Sequence, residues 1–176
     1  MPIETINYLL ALATVIGQVG IVIACAVYVV APKQRGQLLS ILREYGIAFA
    51  LVVAIASTLL SLFYSNVMGY EPCTLCWWQR IFIYPQVVLL GLALWKREKV
   101  IIDYALALLG IGLIISLYQV YLQFGGAPVG ACGVGSVSCT KAYVMEFGYV
   151  TIPVMALTGY ALMIGALVGV KLSTKK

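Results

Sequence analysis

The chain contains five cysteines and no histidine, so cysteine sulfur is its strongest candidate for redox chemistry. Cys73 and Cys76 form a Cys-x-x-Cys motif after Pro72, just before the third long apolar run of the sequence. At a helix N-terminus, free backbone N–H groups and the positive end of the helix dipole stabilise a cysteine thiolate, the species that reacts in disulfide exchange. The motif predicts a redox-active pair at the start of a helix. A structural disulfide and a zinc site built from cysteines alone also fit it.

A second pair, Cys132 and Cys139, lies in a glycine-rich segment between the fourth and fifth apolar runs. Two cysteines this close can form a disulfide that only stiffens the segment. In a mobile, exposed segment the disulfide can instead exchange with the thiols of a partner protein and then with the first pair. Electrons would then pass in a relay from the partner to the second pair, from the second pair to the first pair, and from the first pair to an acceptor. For the remaining cysteine, Cys25, a small apolar filler is the simplest interpretation.

The elements that must position these cysteines are membrane helices. The chain is 63% hydrophobic and only 10% charged, with a mean hydropathy of +1.04, whereas a soluble domain carries roughly a quarter charged residues. We expect an all-α membrane protein. The first run lacks the basic start of a signal peptide, and we interpret it as a retained helix. Five runs approach the roughly 20 residues that span a bilayer: 6–31, 45–67, 77–95, 101–124 and 150–170.

The basic residues predict the orientation of these helices. All but two of the 11 Lys and Arg residues fall on one side of the membrane if five spans alternate. The positive-inside rule then places the N-terminus outside, the C-terminus in the cytoplasm and both cysteine pairs on the outer, oxidising face of the cytoplasmic membrane. The net charge of +5 is thus an orientation signal and does not indicate nucleic acid. The one-sided residues are Lys33, Arg35, Arg43, Lys96, Arg97, Lys99, Lys171, Lys175 and Lys176.

Arg80 follows Cys76 by four residues, so on a helix the two side chains share a face. It lies about one turn inside the expected membrane edge, where an unpaired cation is costly and often functional. Such an arginine can stabilise a thiolate and an electron-rich oxygen of a bound quinone. The simpler interpretation is an arginine whose charge reaches the membrane surface beside Trp77 and Trp78.

The final electron acceptor must come from outside the chain, because no motif for haem, flavin or an iron–sulfur cluster accompanies the cysteines. A lipid quinone is soluble in the membrane and accepts two electrons. Aromatic residues on the helices are candidates to line its ring, although at this depth they more often anchor helices at the interface. These residues are Trp77, Trp78, Tyr84, Tyr118 and Tyr121.

The motif at residues 72–80, Pro-Cys-x-Leu-Cys-x-x-Gln-Arg, resembles that of the DsbB family of disulfide bond formation proteins. An outer segment with a second cysteine pair follows it, and Ile152-Pro153 opens the last helix. The resemblance covers residues 45–170 and implies a four-helix transmembrane bundle. Residues 1–44 then form an additional N-terminal transmembrane helix with a cytoplasmic loop, and 171–176 form a basic cytoplasmic tail.

The resemblance implies a role for each paired cysteine. Cys76 is the cysteine nearest the quinone, and Cys73 is its partner in the pair. Cys132 forms the mixed disulfide with a DsbA-like thioredoxin-fold protein on the outer face. Cys139 completes the second pair and passes electrons to Cys73.

The resemblance also implies a quinone cofactor, ubiquinone or menaquinone. Arg80 matches the family arginine at the quinone, and Gln123 is a weaker match to another quinone-site position. We add Trp77 as a residue expected to contact the quinone, and we expect no metal site. The implied activity is that of a thiol:quinone oxidoreductase, an enzyme that generates disulfides.

Two other functions remain open. A protein like vitamin K epoxide reductase has similar chemistry on a similar bundle, although in that family the loop cysteines precede the Cys-x-x-Cys helix. A non-enzymatic membrane protein would instead use the four outer cysteines as metal ligands or structural disulfides. Within the DsbB resemblance, the first helix is additional to the usual four. The close spacing of Cys132 and Cys139 is similar to that of the short-looped members of the family, whereas the long-looped members separate these cysteines widely.

Overall fold

The computed structural model describes residues 3–96, 98, 100–127 and 138–174. It confirms the expected all-α class, and within these ranges the only β-type pairing is an isolated bridge between Glu146 and Val150. After α2, a π-helical turn at Phe63–Val67 continues the helix. The five α-helices are α1 Ile3–Val30, α2 Pro32–Leu62, α3 Thr74–Lys96, α4 Val100–Gln123 and α5 Ile152–Thr174.

Four of these helices are long and apolar enough to cross a membrane: α1, α2 with its π-helical extension, α4 and α5. This is the architecture of a multi-pass membrane protein. Sequence analysis predicted a fifth span at 77–95, within α3. That helix is long enough, at 23 residues, but is less apolar because it carries Gln79, Arg80 and Gln86. Gln79 and Gln86 are buried inside the bundle.

The expected loop before the second span is helical in the structure. α2 begins at Pro32, directly after Ala31, although sequence analysis placed the start of this span at residue 45. Proline suits the first turn of a helix because its fixed φ is helical and the N–H that it lacks would have no partner within the helix there. Arg35 stabilises the junction, since its guanidinium lies over the Tyr28 ring at 4.2 Å and donates to the Tyr28 hydroxyl at 2.9 Å.

Helices α2 to α5 form the four-helix core. Small residues allow close contacts between them: a side chain at Gly112 would overlap the Tyr160 ring, and one at Gly46 would overlap Val170. Such residues are typical of membrane helix interfaces. The buried apolar core is Ala50, Ala54, Ile83, Leu90, Ile102, Ala105, Leu109, Tyr160, Met163, Ala166, Leu167 and Val170.

The additional helix α1 packs on the outside of this core, against α2 and α5. Its buried residues are Asn7, Ala11 and Thr14, which recur on one face at the helical period. The rest of the helix is largely exposed, as expected where lipid covers a membrane protein.

The described basic residues at helix ends cluster at one end of the bundle, where α2 begins and where α3 and α5 end. An ion pair between Lys171 and Asp103 places the start of α4 at the same end. The cysteine motif at the start of α3 lies at the opposite end. Four other basic residues of the orientation argument, Arg97, Lys99, Lys175 and Lys176, lie outside the described residues.

Candidate functional site

A cavity of about 160 Å³ opens between α2, α3, α4 and α5 at the cysteine end of the bundle. Its lining combines apolar side chains with several polar ones. The chemically relevant lining residues are Ser61, Cys73, Cys76, Arg80, Gln119, Gln123 and Cys139. The site residues from sequence analysis that line this cavity are therefore the first cysteine pair, Arg80, Gln123 and Cys139.

The first cysteine pair lies at the N-terminus of α3, as the motif predicted. Cys73 precedes the helix and Cys76 lies in its first turn. The Cys73 sulfur accepts a hydrogen bond from the Cys76 backbone N–H at 3.4 Å, and the Cys73 carbonyl accepts one from the Trp77 N–H at 3.1 Å. Cys73 is thus placed as a serine N-cap would be. Both thiols are free and their sulfurs are 2.8 Å apart, so a small movement closes them into a disulfide.

Gln119 on α4 holds both sulfurs of this pair. Its side-chain NH₂ group donates to Cys73 Sγ and to Cys76 Sγ, each at 3.2 Å, and the residue is only 3% exposed. The Gln79 amide donates to Gln119 Oε1 at 2.8 Å, which fixes the orientation of the Gln119 amide. The Tyr160 hydroxyl donates to the Gln79 carbonyl at 2.8 Å.

Sequence analysis did not single out Gln119, although a signal was present. Gln119 is a polar side chain inside the apolar α4 run, four residues before Gln123 and therefore on the same helical face. Polar residues within a membrane helix are costly and usually face a partner or a cavity. Ser61 was also missed, because α2 contains other serines, such as Ser57, and a serine in an apolar helix carries little information.

The two sulfurs of the first cysteine pair differ in how tightly they hold a proton. The hydrogen bond to Cys76 raises the pKa of the Cys73 thiol, and burial raises it further. Cys73 therefore holds its proton more tightly than Cys76, and a thiolate of the pair forms first on Cys76. The Gln119 amide and the α3 N-terminus, both positive in character, lie beside Cys76.

Arg80 projects from α3 towards α2. Its Nε donates to Ser61 Oγ at 2.9 Å, and a terminal nitrogen donates to the Ser61 carbonyl at 3.2 Å. Throughout the described ranges, the only ion pair is Lys171–Asp103, so Arg80 has no carboxylate partner there. A half-buried cation at a cavity wall without a counter-ion is suited to binding an electron-rich ligand oxygen.

Trp77 and Gln123 have different surroundings. Trp77 is 56% exposed, does not line the cavity and contacts the site through Arg80, whose guanidinium lies 5.1 Å from the indole centroid. Gln123 lines the cavity. Its Oε1 accepts from Thr151 Oγ1 at 2.6 Å, and its amide donates to the Lys141 carbonyl at 3.4 Å. Gln123 thus joins the end of α4 to the chain leading into α5.

Cys139 lies against the first cysteine pair. It is disulfide-bonded, buried, and part of one apolar cluster with Cys73, Leu75 and Leu122. Cys132, the other cysteine that sequence analysis assigned to the second pair, lies outside the described residues. Cys25 is a free, exposed thiol on α1 and is not part of the cavity lining.

Comparison with known proteins agrees with this geometry. The sequence model described as "Disulfide bond formation protein DsbB" matches residues 43–170, which include the cavity and leave out α1. "Probable disulfide formation protein C 2" of Bacillus anthracis is 39% identical over 127 residues, covering 72% of this chain and 90% of the relative. "SPbeta prophage-derived disulfide bond formation protein B" of Bacillus subtilis (strain 168) is 41% identical over 118 residues, covering 67% and 78%.

A "Probable disulfide formation protein" of Chlamydia pneumoniae is 39% identical over 141 residues, covering 79% of this chain and 98% of the relative. No solved structure matches the chain. The resemblance inferred from the Cys-x-x-Cys motif and the following arginine is confirmed, and the chain belongs to the DsbB family of disulfide bond formation proteins.

Proposed function

We propose that the protein is a thiol:quinone oxidoreductase that reoxidises a DsbA-like thioredoxin-fold protein and passes the electrons to a membrane quinone. Its family gives the general role, which is disulfide bond formation in a multi-pass membrane protein. The finer assignment rests on one observation. The Cys73–Cys76 pair, the Cys139 disulfide and the cation of Arg80, which has no carboxylate partner among the described residues, meet at a single cavity.

The electron path follows the order of the sulfurs. The partner's dithiol reduces the Cys132–Cys139 disulfide. The partner then leaves with its own two cysteines joined in a disulfide. The resulting dithiol then reduces the Cys73–Cys76 disulfide: the Cys139 thiolate attacks Cys73, the Cys73–Cys76 bond breaks and Cys76 leaves as a thiolate. Attack by Cys132 on Cys139 re-forms the second disulfide and releases Cys73. Two electrons thereby reach the pair at the cavity.

The cavity fits a quinone head group. Apolar side chains such as Leu60, Ile83 and Met155 line it together with Arg80 and Ser61. When bound, a ubiquinone or menaquinone supplies the acceptor for two electrons and two protons. Arg80 would bind a ring oxygen of the quinone and hold it near Cys76. Gln119 keeps the Cys76 sulfur in place as a thiolate.

Ser61 supports Arg80 and offers a further donor. Its Oγ accepts from Arg80 Nε at 2.9 Å and from the Tyr84 hydroxyl at 3.3 Å. Two donors polarise the Ser61 hydroxyl. Within the ranges that the structure describes, this hydroxyl donates to no acceptor, so its proton is available to a ligand oxygen in the cavity.

We also propose that the cysteine end of the bundle faces outward from the cytoplasmic membrane. The supporting observation is the cluster of basic residues at the opposite end, which includes Lys33, Arg43, Lys96 and Lys171. Cytoplasmic ends of membrane helices carry such an excess. The outer compartment is oxidising, as a disulfide relay requires.

Quinone reduction by the purified protein tests this proposal. The full chain in detergent receives quinone and an excess of a reduced thioredoxin-fold protein, and quinone loss is followed by ultraviolet absorbance. We expect one partner disulfide for each quinone reduced. Cys73→Ser and Cys76→Ser should each abolish the reaction. Cys25→Ser, which removes an exposed thiol away from the cavity, is the matched control and should retain it.

Two results would contradict the proposal. One is quinone reduction that persists in Cys76→Ser. The other is a folded, quinone-loaded wild-type protein that oxidises no thiols. In the second case, bound zinc would be measured in the purified protein, and finding it would support the metal-binding alternative.

A further inference from the structure

The additional helix α1 contacts the chain that carries Cys139 at several points, although α1 lies outside the family match at 43–170. We propose that α1 positions the Cys139 segment, defined as residues 138–151, for disulfide exchange with the first cysteine pair, and that Gln18 is the main positioning residue. The kinetic part of this proposal rests on the proposed relay. The anchoring itself can be tested without it.

Gln18 connects α1 to both α5 and the Cys139 segment. Its amide donates to Thr158 Oγ1 on α5 at 3.1 Å, and its Oε1 accepts from the Tyr149 hydroxyl at 2.8 Å. A polar amide in the middle of a membrane helix is costly unless its hydrogen bonds are made. Gly17 allows this close approach, because a side chain there would lie 3.1 Å from Leu162.

A second contact supports a strained turn in the same segment. Phe147 has a φ of 52° and is followed by Gly148 with a φ of 76°. Left-handed backbone is unfavourable for a bulky residue such as phenylalanine and persists only where the surroundings hold it. The turn is closed by the Glu146–Val150 pairing, and the Phe147 ring lies 5.4 Å from the Tyr8 ring of α1.

A third contact reaches the segment through stacked rings. The Tyr64 hydroxyl donates to Asn7 Oδ1 of α1 at 3.0 Å. Tyr64 stacks on Tyr70 with centroids 5.8 Å apart, and Tyr70 stacks on Tyr143 at 4.6 Å. Tyr143 belongs to the Cys139 segment, so Asn7 helps to hold its middle through two intervening rings.

These contacts continue to the site itself. Thr151, just after the turn, donates to Gln123, and Gln123 donates to the Lys141 carbonyl, two residues from Cys139. The segment is therefore held near Cys139 by α4 and at its far end by α1. Attack of the Cys139 thiolate on Cys73 requires alignment with the bond that breaks. Loosening the segment should slow this exchange and leave thiols that reach Cys73 and Cys76 directly unaffected.

The test uses two variants of the full chain in detergent. Gln18→Leu removes both hydrogen bonds of the amide, and Tyr149→Phe removes only one hydroxyl, so at least this variant should fold. Val22→Ala is the matched control, because Val22 lies on α1 and is 67% exposed. One measurement is amide hydrogen exchange over residues 146–151. The other is steady-state quinone reduction with either a reduced thioredoxin-fold protein or a small dithiol.

We expect faster amide exchange over 146–151 in both variants but not in Val22→Ala. With the thioredoxin-fold protein, kcat should fall on the order of tenfold, since misplacement of about 1 Å can cost up to about 100-fold. The rate with the small dithiol should stay unchanged, because this reductant does not need the Cys139 segment. A purely structural role for Gln18 would lower both rates together.

Each contrary result has its own meaning. Amide hydrogen exchange over 146–151 that stays unchanged in both variants would overturn the proposal. Helix α1 would then only pack beside the core. Faster amide hydrogen exchange with an equal loss of quinone reduction by both reductants would also overturn the proposal, because the substitution would then disturb the whole bundle. If the wild-type protein reduces no quinone with either reductant, the proposed function fails, and the hydrogen-exchange result still decides whether α1 anchors the segment.

Discussion

Replacing Gln119 by leucine tests how the protein stabilises a thiolate at the end of α3. Leucine has nearly the same volume but no donor. In the structure, the Gln119 amide donates to both sulfurs of the first pair at 3.2 Å. Gln119→Leu therefore removes these two hydrogen bonds together with the one that Gln119 Oε1 accepts from the Gln79 amide, and it should leave the helices in place. We expect the thiolate of the pair to form only at higher pH.

The size of the shift follows from the Cys76 bond. A hydrogen bond to a charged group contributes about 1.5–3 kcal/mol, and sulfur is a weak acceptor, so we take about 1.5 kcal/mol. The bond to Cys73 is lost from both protonation states and contributes little to the difference. Since about 1.4 kcal/mol corresponds to one pH unit, the titration midpoint of the pair should rise by about one unit. Below the midpoint, the thiolate population then falls about tenfold.

The assay is the rate of alkylation against pH. It is best done in a Cys25→Ser background, because Cys25, Cys73 and Cys76 are the free cysteines within the described ranges. The matched control is Gln86→Leu. Gln86 is also a buried glutamine, with 0% exposure, but its amide donates to the Phe82 carbonyl and not to sulfur. This control should titrate as the parent does.

Two results would refute the reasoning. If Gln119→Leu titrates at the same pH as the parent, the amide does not stabilise the thiolate and the helix terminus acts alone. If Gln86→Leu shifts the midpoint as far as Gln119→Leu does, the shift reflects a general change in bundle packing.

Three further predictions concern the proposed electron path before and after the Cys73–Cys76 pair. Arg80→Gln should raise the apparent KM for quinone on the order of tenfold with little change in melting temperature, as the loss of a charged contact requires; an unchanged KM would remove Arg80 from the quinone site. Cys132→Ser should block oxidation of a thioredoxin-fold protein while a small dithiol still reduces quinone, and equal loss with both reductants would argue against the relay. Thr151→Val keeps the side-chain shape but removes the donor to Gln123, so partner oxidation should slow by roughly three- to tenfold with normal small-dithiol activity; slowing with both reductants would contradict a role confined to the Cys139 segment.

The sequence was sufficient to predict the helices and the position of the first cysteine pair. Long apolar runs are unambiguous in a membrane protein, because every backbone polar group must be satisfied within the helix. The Cys-x-x-Cys motif before such a run also predicted correctly that Cys73 and Cys76 begin a helix. The start of α2 was missed because basic residues suggest a loop, although nothing after Pro32 interrupts a helix there.

The contacts between helices could not be read in the same way. Gln119 reaches Cys73 and Cys76 only because α4 packs beside α3 with a particular rotation, which the periodicity of either helix alone does not specify. The partnership of Ser61 with Arg80 depends likewise on the packing of α2 against α3. Pairwise packing of this kind is a property of the assembled bundle.

The very short turn between α1 and α2 has a consequence for biosynthesis. Only Ala31 separates the two helices, and Lys33 and Arg35 follow at once. In the orientation proposed above, this basic turn would stay on the cytoplasmic side while the two helices insert together as a hairpin. Adding one helix in front of a bundle would ordinarily invert the membrane orientation of every helix that follows. In the proposed orientation, the basic residues at this turn belong to α2, so the four-helix core would have the same orientation with or without α1.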